Sequence, residues 1–433
     1  MTVAGVIVRG LAILAIAAMV ALSPAAVGGA SAEGTTAVWS RNLDAYPLSL
    51  RSGIFILTAL PGGGVLVRSG AGVAALDPVT GKTLWFLAGV LDASLDGTSV
   101  LVRRRDVVFA VRARDAAVVW KRPCVNARYV VGVGSRALTA CGDTSTVLDG
   151  SNGALRGRRP IVLTMSAGDI RGARSLNGRF AMIANSFDGA WGGMEYAIVD
   201  AATGTYEWSQ TDFAILDVSP DSILIAPYPG MLPWAPTGTV VRRRLVDGAV
   251  LGRRVYQLPM GSDPDERGVV TVSPSAVYVS TQSAGLFRFA TGTSSADEVA
   301  AHAEVEAVLG NAVFYAIKGA QFGVADLYVE RPREHDFSNR SIGRYSGLIA
   351  AGGDDQNAGS FGEHVAIRTG DVVVASRTGS VDVLDESGTR ILEVQNTCLA
   401  NQRHVLKTGN RLYVLCDPIS SKGRVVVSAY ALR

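Results

Sequence analysis

Residues 72–85 read Gly72-Val-Ala-Ala-Leu-Asp77-Pro-Val-Thr-Gly81-Lys-Thr-Leu-Trp85. One apolar run ends at Ala75-Leu76, another begins at Leu84-Trp85, and Asp77 to Gly81 between them carry turn chemistry. Asp accepts hydrogen bonds from the backbone that follows it, Pro fixes φ, and Gly tolerates positive φ, so the segment reads as a β-hairpin. Trp85 is placed to bury its ring beside neighbouring strands. A single hairpin cannot hide its apolar face, which predicts further copies.

Copies follow. Val199-Asp200-Ala-Ala-Thr-Gly204-Thr-Tyr-Glu-Trp208 keeps the spacing of Asp, Gly and Trp. Leu148-Asp149-Gly-Ser-Asn-Gly153-Ala-Leu keeps the turn without the Trp, and Val111-Arg-Ala-Arg-Asp-Ala-Ala-Val-Val-Trp120 keeps the Trp without the Gly. Fainter echoes are Val246-Asp247-Gly248, Ala290-Thr291-Gly292 and Val383-Leu384-Asp385-Glu-Ser-Gly388. Trp85 and Trp120 lie 35 residues apart, and later intervals run from the mid-thirties to about fifty. A drifting period of this size, with strand signals throughout, predicts an all-β propeller in which each repeat is one four-stranded blade.

The pattern Ala-x-Asp-x-x-Thr-Gly-x-x-x-Trp, nearly met at 75–85 and 199–208, resembles the pyrroloquinoline-quinone-type propeller repeat. That repeat occurs in quinoprotein alcohol dehydrogenases and in non-enzymatic propellers of the BamB type. The resemblance covers most of the chain after residue 32 and implies the fold more strongly than any function.

The N-terminus reads as an export signal. Arg9 precedes the apolar run Leu11 to Leu22, and Ala30-Ser31-Ala32 offers an Ala-x-Ala cleavage site before Glu33. Cleavage would give a signal peptide, 1–32, and a propeller domain, 33–433; the alternative is a retained anchor, for which the apolar core is short. No Cys stands at the cleavage site to carry a lipid. The whole chain has 41 Lys and Arg against 38 Asp and Glu, and 1–32 contain one Arg and no acid, so the remainder is near neutral. That balance argues against general binding to nucleic acid or anionic membranes.

The four cysteines fit export. Cys124 and Cys141, and likewise Cys398 and Cys416, each bracket a predicted hairpin with its turn near the midpoint. Two local disulfides follow from this layout, with free buried thiols as the alternative. The spacings do not resemble a zinc site.

In chain order, Ala37-Val38-Trp39 resembles an outer strand without its blade, and 424–433 resembles a third strand without its turn. The N-terminal strand is therefore predicted to complete the last blade and close the ring. The intervening blades fall at 46–85, 86–120, 121–157, 158–208, 209–255, 346–392 and 393–433. Between 256 and 345 the repeat is poorly marked and holds one or two blades, so eight are expected, with seven or nine open.

Catalytic signals are sparse. In the quinoprotein dehydrogenases that the repeat resembles, adjacent cysteines stack on the quinone and acidic and amide groups hold calcium. No two cysteines are adjacent here, so no residue is carried over, and no cofactor or metal is expected. The chain has no nucleophile elbow, His-Glu-x-x-His or phosphate loop. His302, His335, His364 and His404 are scattered; Glu334-His335-Asp336 reads as a charged loop and Gly352 to Asn357 as a turn. Asp77, Asp149 and Asp200, recurring at turns, read as structural. Arg103-Arg104-Arg105 and Arg242-Arg243-Arg244 read as solvated or salt-bridged strand edges.

Two stretches stand out as contact loops. Asn185 to Tyr196 contains Phe187, Trp191, Met194 and Tyr196; Pro227 to Pro236 contains Tyr228, Met231 and Trp234. Both fall between the second and third strands of adjacent blades and would leave the same face of the ring. Aromatics and Met on rigidly held loops suit a protein or ligand contact; the alternative is that they cap the core. The reading is an exported, non-catalytic binding or scaffolding propeller of the cell envelope or extracellular space. Its expected partner is another envelope or extracellular protein, not nucleic acid, and it has no stable span after cleavage. The alternative is an envelope enzyme, either a degenerate quinoprotein or a hydrolase, with a site assembled from loops.

Overall fold

A computed structural model describes residues 36–43, 56–60, 64–69, 72–161, 169–187, 193–211, 213–227, 237–257, 268–281, 285–291, 293, 295–318, 324–333, 337–346, 366–369, 372–377, 380–395, 402–417 and 425–432. These residues form nine four-stranded sheets and no helix. Eight sheets run in chain order and are numbered here as blades 1 to 8: 56–88, 92–123, 127–160, 169–211, 213–257, 268–300, 303–346 and 366–395. Blade 9 takes Gln402–Thr408, Arg411–Asp417 and Val426–Ala431, and is completed by Trp39–Asn42, with Trp39 opposite Ala429. The fold is a β-propeller whose last blade is finished by the N-terminal strand. The poorly marked stretch holds two blades, so the count among the described residues is nine where the repeat favoured eight.

Apolar cores lie between consecutive blades. One cluster joins Leu66, Val73 and Trp85 to Val100, Val102 and Phe109 across blades 1 and 2. Corresponding clusters join every later pair. The ring closes where Trp39, Tyr413, Leu415 and Val427 of blade 9 pack on Leu57, Val65 and Val67 of blade 1. Exposure along each strand follows from this stacking. Gly72–Leu76, covered on both faces, is buried throughout. In the outer strand Val118–Pro123, only Trp120 is buried.

Those outer-strand tryptophans clasp the blades together. Trp85 Nε1 donates to Ala113 O at 2.7 Å, in the turn of blade 2. Trp120 Nε1 donates to Gly150 O at 2.7 Å in blade 3, and Trp208 Nε1 to Leu245 O at 2.9 Å in blade 5. Trp39 Nε1 does the same to Pro78 O of blade 1 at 3.0 Å. The four receiving turns, and the blade 4 turn with no Trp upon it, share one geometry, in which the fifth residue donates to the carbonyl of the first: Gly81 to Asp77, Ala116 to Arg112, Gly153 to Asp149, Gly204 to Asp200 and Gly248 to Arg244. That fifth residue has positive φ. In turns that receive a Trp the glycine also lies under the incoming ring: a Cβ at Gly81 would stand 2.3 Å from Trp39, and one at Gly153 2.7 Å from Trp120, whereas one at Gly204 would meet Val147 at 3.0 Å. Glycine is required here twice, by φ and by space.

The acid of the turn has two equivalent places. At the first position, Asp77 Oδ1 accepts from Val79 N and Thr80 N, and Asp149 Oδ1 from Ser151 N and Ser151 Oγ. These bonds hold both carboxyls below their ordinary value, Asp77 chiefly through Thr80 and Asp149 chiefly through Ser151. Their contribution to stability is complete above the ordinary carboxylate pKa and is lost as pH falls through the lowered one. In blades 2 and 5 the first position is Arg and the fourth is Asp. There Asp115 Oδ1 caps Ala117 N at 3.0 Å and pairs with Arg112 at 3.1 Å, while Asp247 caps Ala249 N and pairs with Arg244, each at 2.9 Å. Here the acid caps the amide of the sixth residue, which Thr80 and Asn152 cap from the same fourth position in blades 1 and 3, and its pairing with the first-position Arg holds the turn.

Ala116 is the exception that tests this account, since it holds φ at 55° in a place where other blades have Gly. Ala116→Gly should stabilise the protein by about 0.5–1 kcal/mol, strain relief being partly offset by unfolded-chain entropy. Gly153→Ala should destabilise it by about 2–4 kcal/mol. Urea denaturation of the two variants beside the parent protein measures both signs.

Candidate functional site

Antiparallel blades wound in the same direction give the ring two unlike faces. First-to-second and third-to-fourth strand connections leave one face, here termed the turn face. Second-to-third and blade-to-blade connections leave the other, the loop face. Between described strands, no turn-face connection exceeds six residues. On the loop face 43–55, 161–168, 228–236, 258–267, 347–365 and 418–425 all exceed six. The turn face is constrained because its hairpins receive the tryptophan docks. Among the described residues no tryptophan docks on a loop-face connection; the short ones are tied by single bonds, as where Cys124 N and Asn126 N donate to Asp106 at 3.0 and 3.2 Å, and the lengths diverge, as binding surfaces require.

The expected contact residues divide. Strand pairing in blade 4 continues to Phe187 opposite Gly193, and Met194 pairs with Ser186, so the connection is 188–192 and shorter than expected. Tyr196 lies inside the strand Gly193–Asp200, is half-buried, and packs on the core between blades 4 and 5, which is a structural role. Trp191, Tyr228, Met231 and Trp234 lie outside the described residues, as do His335, His364 and 352–357. His404 falls in the strand Gln402–Thr408, and His302 in the short connection between blades 6 and 7. The repeat residues Asp77, Gly81, Trp85, Trp120, Asp149, Gly153, Asp200, Gly204 and Trp208 all belong to turns or outer strands of the clasping system. Cys124 and Cys141 form the expected disulfide across the first hairpin of blade 3, with Cα atoms 4.9 Å apart. Cys416 is also disulfide-bonded; Cys398 lies outside the described residues.

The arginine triplets are mostly engaged. Arg103 donates to Ala127 O at 2.7 Å, and Arg104 to Ala88 O at 3.0 Å. Arg242 reaches Ser219, Ser222 and Asp217, Arg243 donates to Gly248 O, and Arg244 pairs with Asp247. Arg105 remains exposed. Among the described residues, no three His, Cys, Asp or Glu side chains converge to hold a metal.

One buried ionic group escaped sequence reading. Arg288 of blade 6 pairs with the wholly buried Glu330 of blade 7 at 2.5 Å and with Asp297 at 3.1 Å, its guanidinium 3.7 Å from the centre of Phe337. Burial pushes the Glu330 carboxyl above its ordinary value, against the pull of Arg288. The group spans a blade interface that has no tryptophan dock and substitutes for one. Similarly, Arg254 of blade 5 donates to Phe289 O and Ala290 O in blade 6. In blade 7, Arg340 donates to Ser387 O in the turn of blade 8, with Ile342 over Gly388. These replacements explain why the repeat faded between 256 and 345. The only signal in sequence was an Arg in an outer or adjoining strand, which is too common to be diagnostic.

The class defined by this architecture is the β-propeller, with a constrained turn face and a variable loop face. BamB from Moraxella catarrhalis is similar in structure, at 15% identity and a TM-score of 0.47 over 92% of this chain and all of that one. The computationally designed Ika8 protein gives 12% identity and 0.47 over 89% and 98%. Quinohemoprotein alcohol dehydrogenase from Comamonas testosteroni gives 12% and 0.47 over 92% and 76%. No family model and no curated protein matches the chain.

Glu330→Gln leaves buried Arg288 with only its exposed partner, and should cost about 3 kcal/mol in urea denaturation. Replacing both, as Arg288→Met with Glu330→Leu, should recover much of that loss. Because the Glu330 pKa is raised, the folded protein retains this proton to higher pH than the unfolded chain. Its contribution therefore falls as pH rises from 4.5 through the raised value, a slope that Glu330→Gln lacks.

Proposed function

We propose that this protein is an exported binding or scaffolding propeller whose loop face engages another envelope or extracellular protein. The observation that carries the proposal is the segregation of every long connection to one face of a ring whose other face is committed to holding blades together. The ring loses little freedom on contact, so loops mounted on it bind with a small ordering cost. The disulfide Cys124–Cys141 accords with an oxidising compartment, and the apolar N-terminal segment with its Ala-x-Ala site supplies the route there. The adjacent-cysteine arrangement of the quinoprotein enzymes has no counterpart in the sequence, where the cysteines stand at 124, 141, 398 and 416.

The segment 228–236 joins the second and third strands of blade 5 and includes Tyr228, Met231 and Trp234 in its sequence, which makes it the first contact to remove. Cross-linked capture from native envelope with tagged mature protein should yield a partner that is lost when 228–236 are replaced by a short Gly-Ser turn, with the thermal unfolding midpoint unchanged. Capture of the same partners by both proteins, or of none by either, would refute a contact through this loop.

A further inference from the structure

The near-neutral total conceals a local charge excess. Residues 101–160, in blades 2 and 3, contain twelve Lys and Arg against four Asp and no Glu, whereas the whole chain carries only +3. On the turn face this charge is matched: Arg112 and Arg114 pair with Asp115, and Arg136 and Arg156 with Asp149. Towards the loop face it is not. Arg128 has Asp143 at 2.9 Å. Arg105, Lys121, Arg158 and Arg159 are exposed, and their side chains form no ion pair or hydrogen bond among the described residues. Arg122, though exposed, reaches back to the turn face, donating to the Gly153 carbonyl at 2.8 Å.

Apolar side chains stand beside this charge. Leu91 is 52% exposed and Val125 66% exposed, each in a three-residue connection on the loop face, entering blades 2 and 3 respectively. Their neighbours Val90 and Cys124 are buried and bear the packing. Cys124 is further tied by the disulfide, which braces the backbone beneath Val125. The two aliphatic groups therefore stand on rigid, short connections flanked by uncommitted cations.

We propose that the loop-facing rim of blades 2 and 3 docks on an anionic lipid bilayer. The cations are long, mobile side chains spread along the outer edges of two blades, suited to a diffuse sheet of phosphate charge. They do not converge on one point, as recognition of a single anionic group would require. Leu91 and Val125 supply shallow apolar insertion, and reversible surface binding needs the two signals together. The site is separate from the blade 4 and 5 loops assigned to partner contact and does not depend on that assignment.

The test is sedimentation of the mature protein with vesicles of phosphatidylcholine alone and of phosphatidylcholine mixed equally with phosphatidylglycerol. Binding should require the anionic lipid and decline at high salt. Each surface cation contributes about fivefold to such partitioning, so Arg105→Glu, Lys121→Glu and Arg158→Glu combined should reduce it by about a hundredfold. Leu91→Ser with Val125→Ser should weaken binding while leaving its salt dependence. The protein lacking 228–236 should bind vesicles like the parent, which separates this surface from the partner loop. All exchanged side chains are exposed, and an unchanged thermal midpoint verifies folding. Equal binding to both vesicles, no binding to either, or indifference to the triple charge reversal would overturn the proposal. Preferential binding to a soluble polyanion such as heparin, with none to vesicles, would overturn it in favour of a non-membrane ligand.

Discussion

The structure depends on an indole ring lying over a residue that has no side chain. Each dock couples three requirements: a Trp on an outer strand, a carbonyl turned towards its N–H, and a left-handed residue beneath the ring. Burying a Trp against the next blade adds apolar area, and its hydrogen bond satisfies a carbonyl that the tight turn would otherwise leave without a partner. Because the contact joins one blade to the next, it also sets their spacing. Trp39 extends the device across the chain ends, placing the N-terminal strand on blade 9 and its ring on blade 1.

This constraint accounts for the division between faces. Hairpins that receive a neighbour's side chain cannot change length without losing the dock, and they remain short even where the residues change. Arg can take the first position in the turns of blades 2 and 5 because it pairs with an Asp at the fourth that caps the following amide, and Arg254 or the Arg288–Glu330 pair can stand in for Trp because each supplies an interblade bond. Among the described residues, connections at the opposite ends of the same strands receive no tryptophan. Variation therefore accumulates where it is mechanically harmless, and that is where a binding protein can use it.

Much of the fold was legible because one short motif records both a turn and a blade interface. Asp77, Gly81 and Trp85 specify the hairpin and what crosses it, and the complementary fragments at the two termini disclosed the closing blade. Legibility ended where the dock changed chemistry: without Trp or a Gly turn, 256–345 did not reveal its two blades. The candidate site was less readable. Phe187 and Met194 belong to paired strands and Tyr196 to a core, because alternating strand residues and loop aromatics look alike in sequence. The charge of blades 2 and 3 was hidden by averaging, since acids elsewhere in the chain cancel it.

Ring closure through the first dock is the central claim, and hydrogen exchange in Trp39→Ala tests it most directly. The account predicts faster exchange in three places at once: Trp39–Asn42, the blade 1 turn at 77–82, and the blade 9 strand Val426–Ala431. These segments are remote in sequence: strand pairing joins the first to the third, and the clasp joins them to the blade 1 turn. Acceleration confined to 36–43, with blades 1 and 9 protected as in the parent protein, would contradict it.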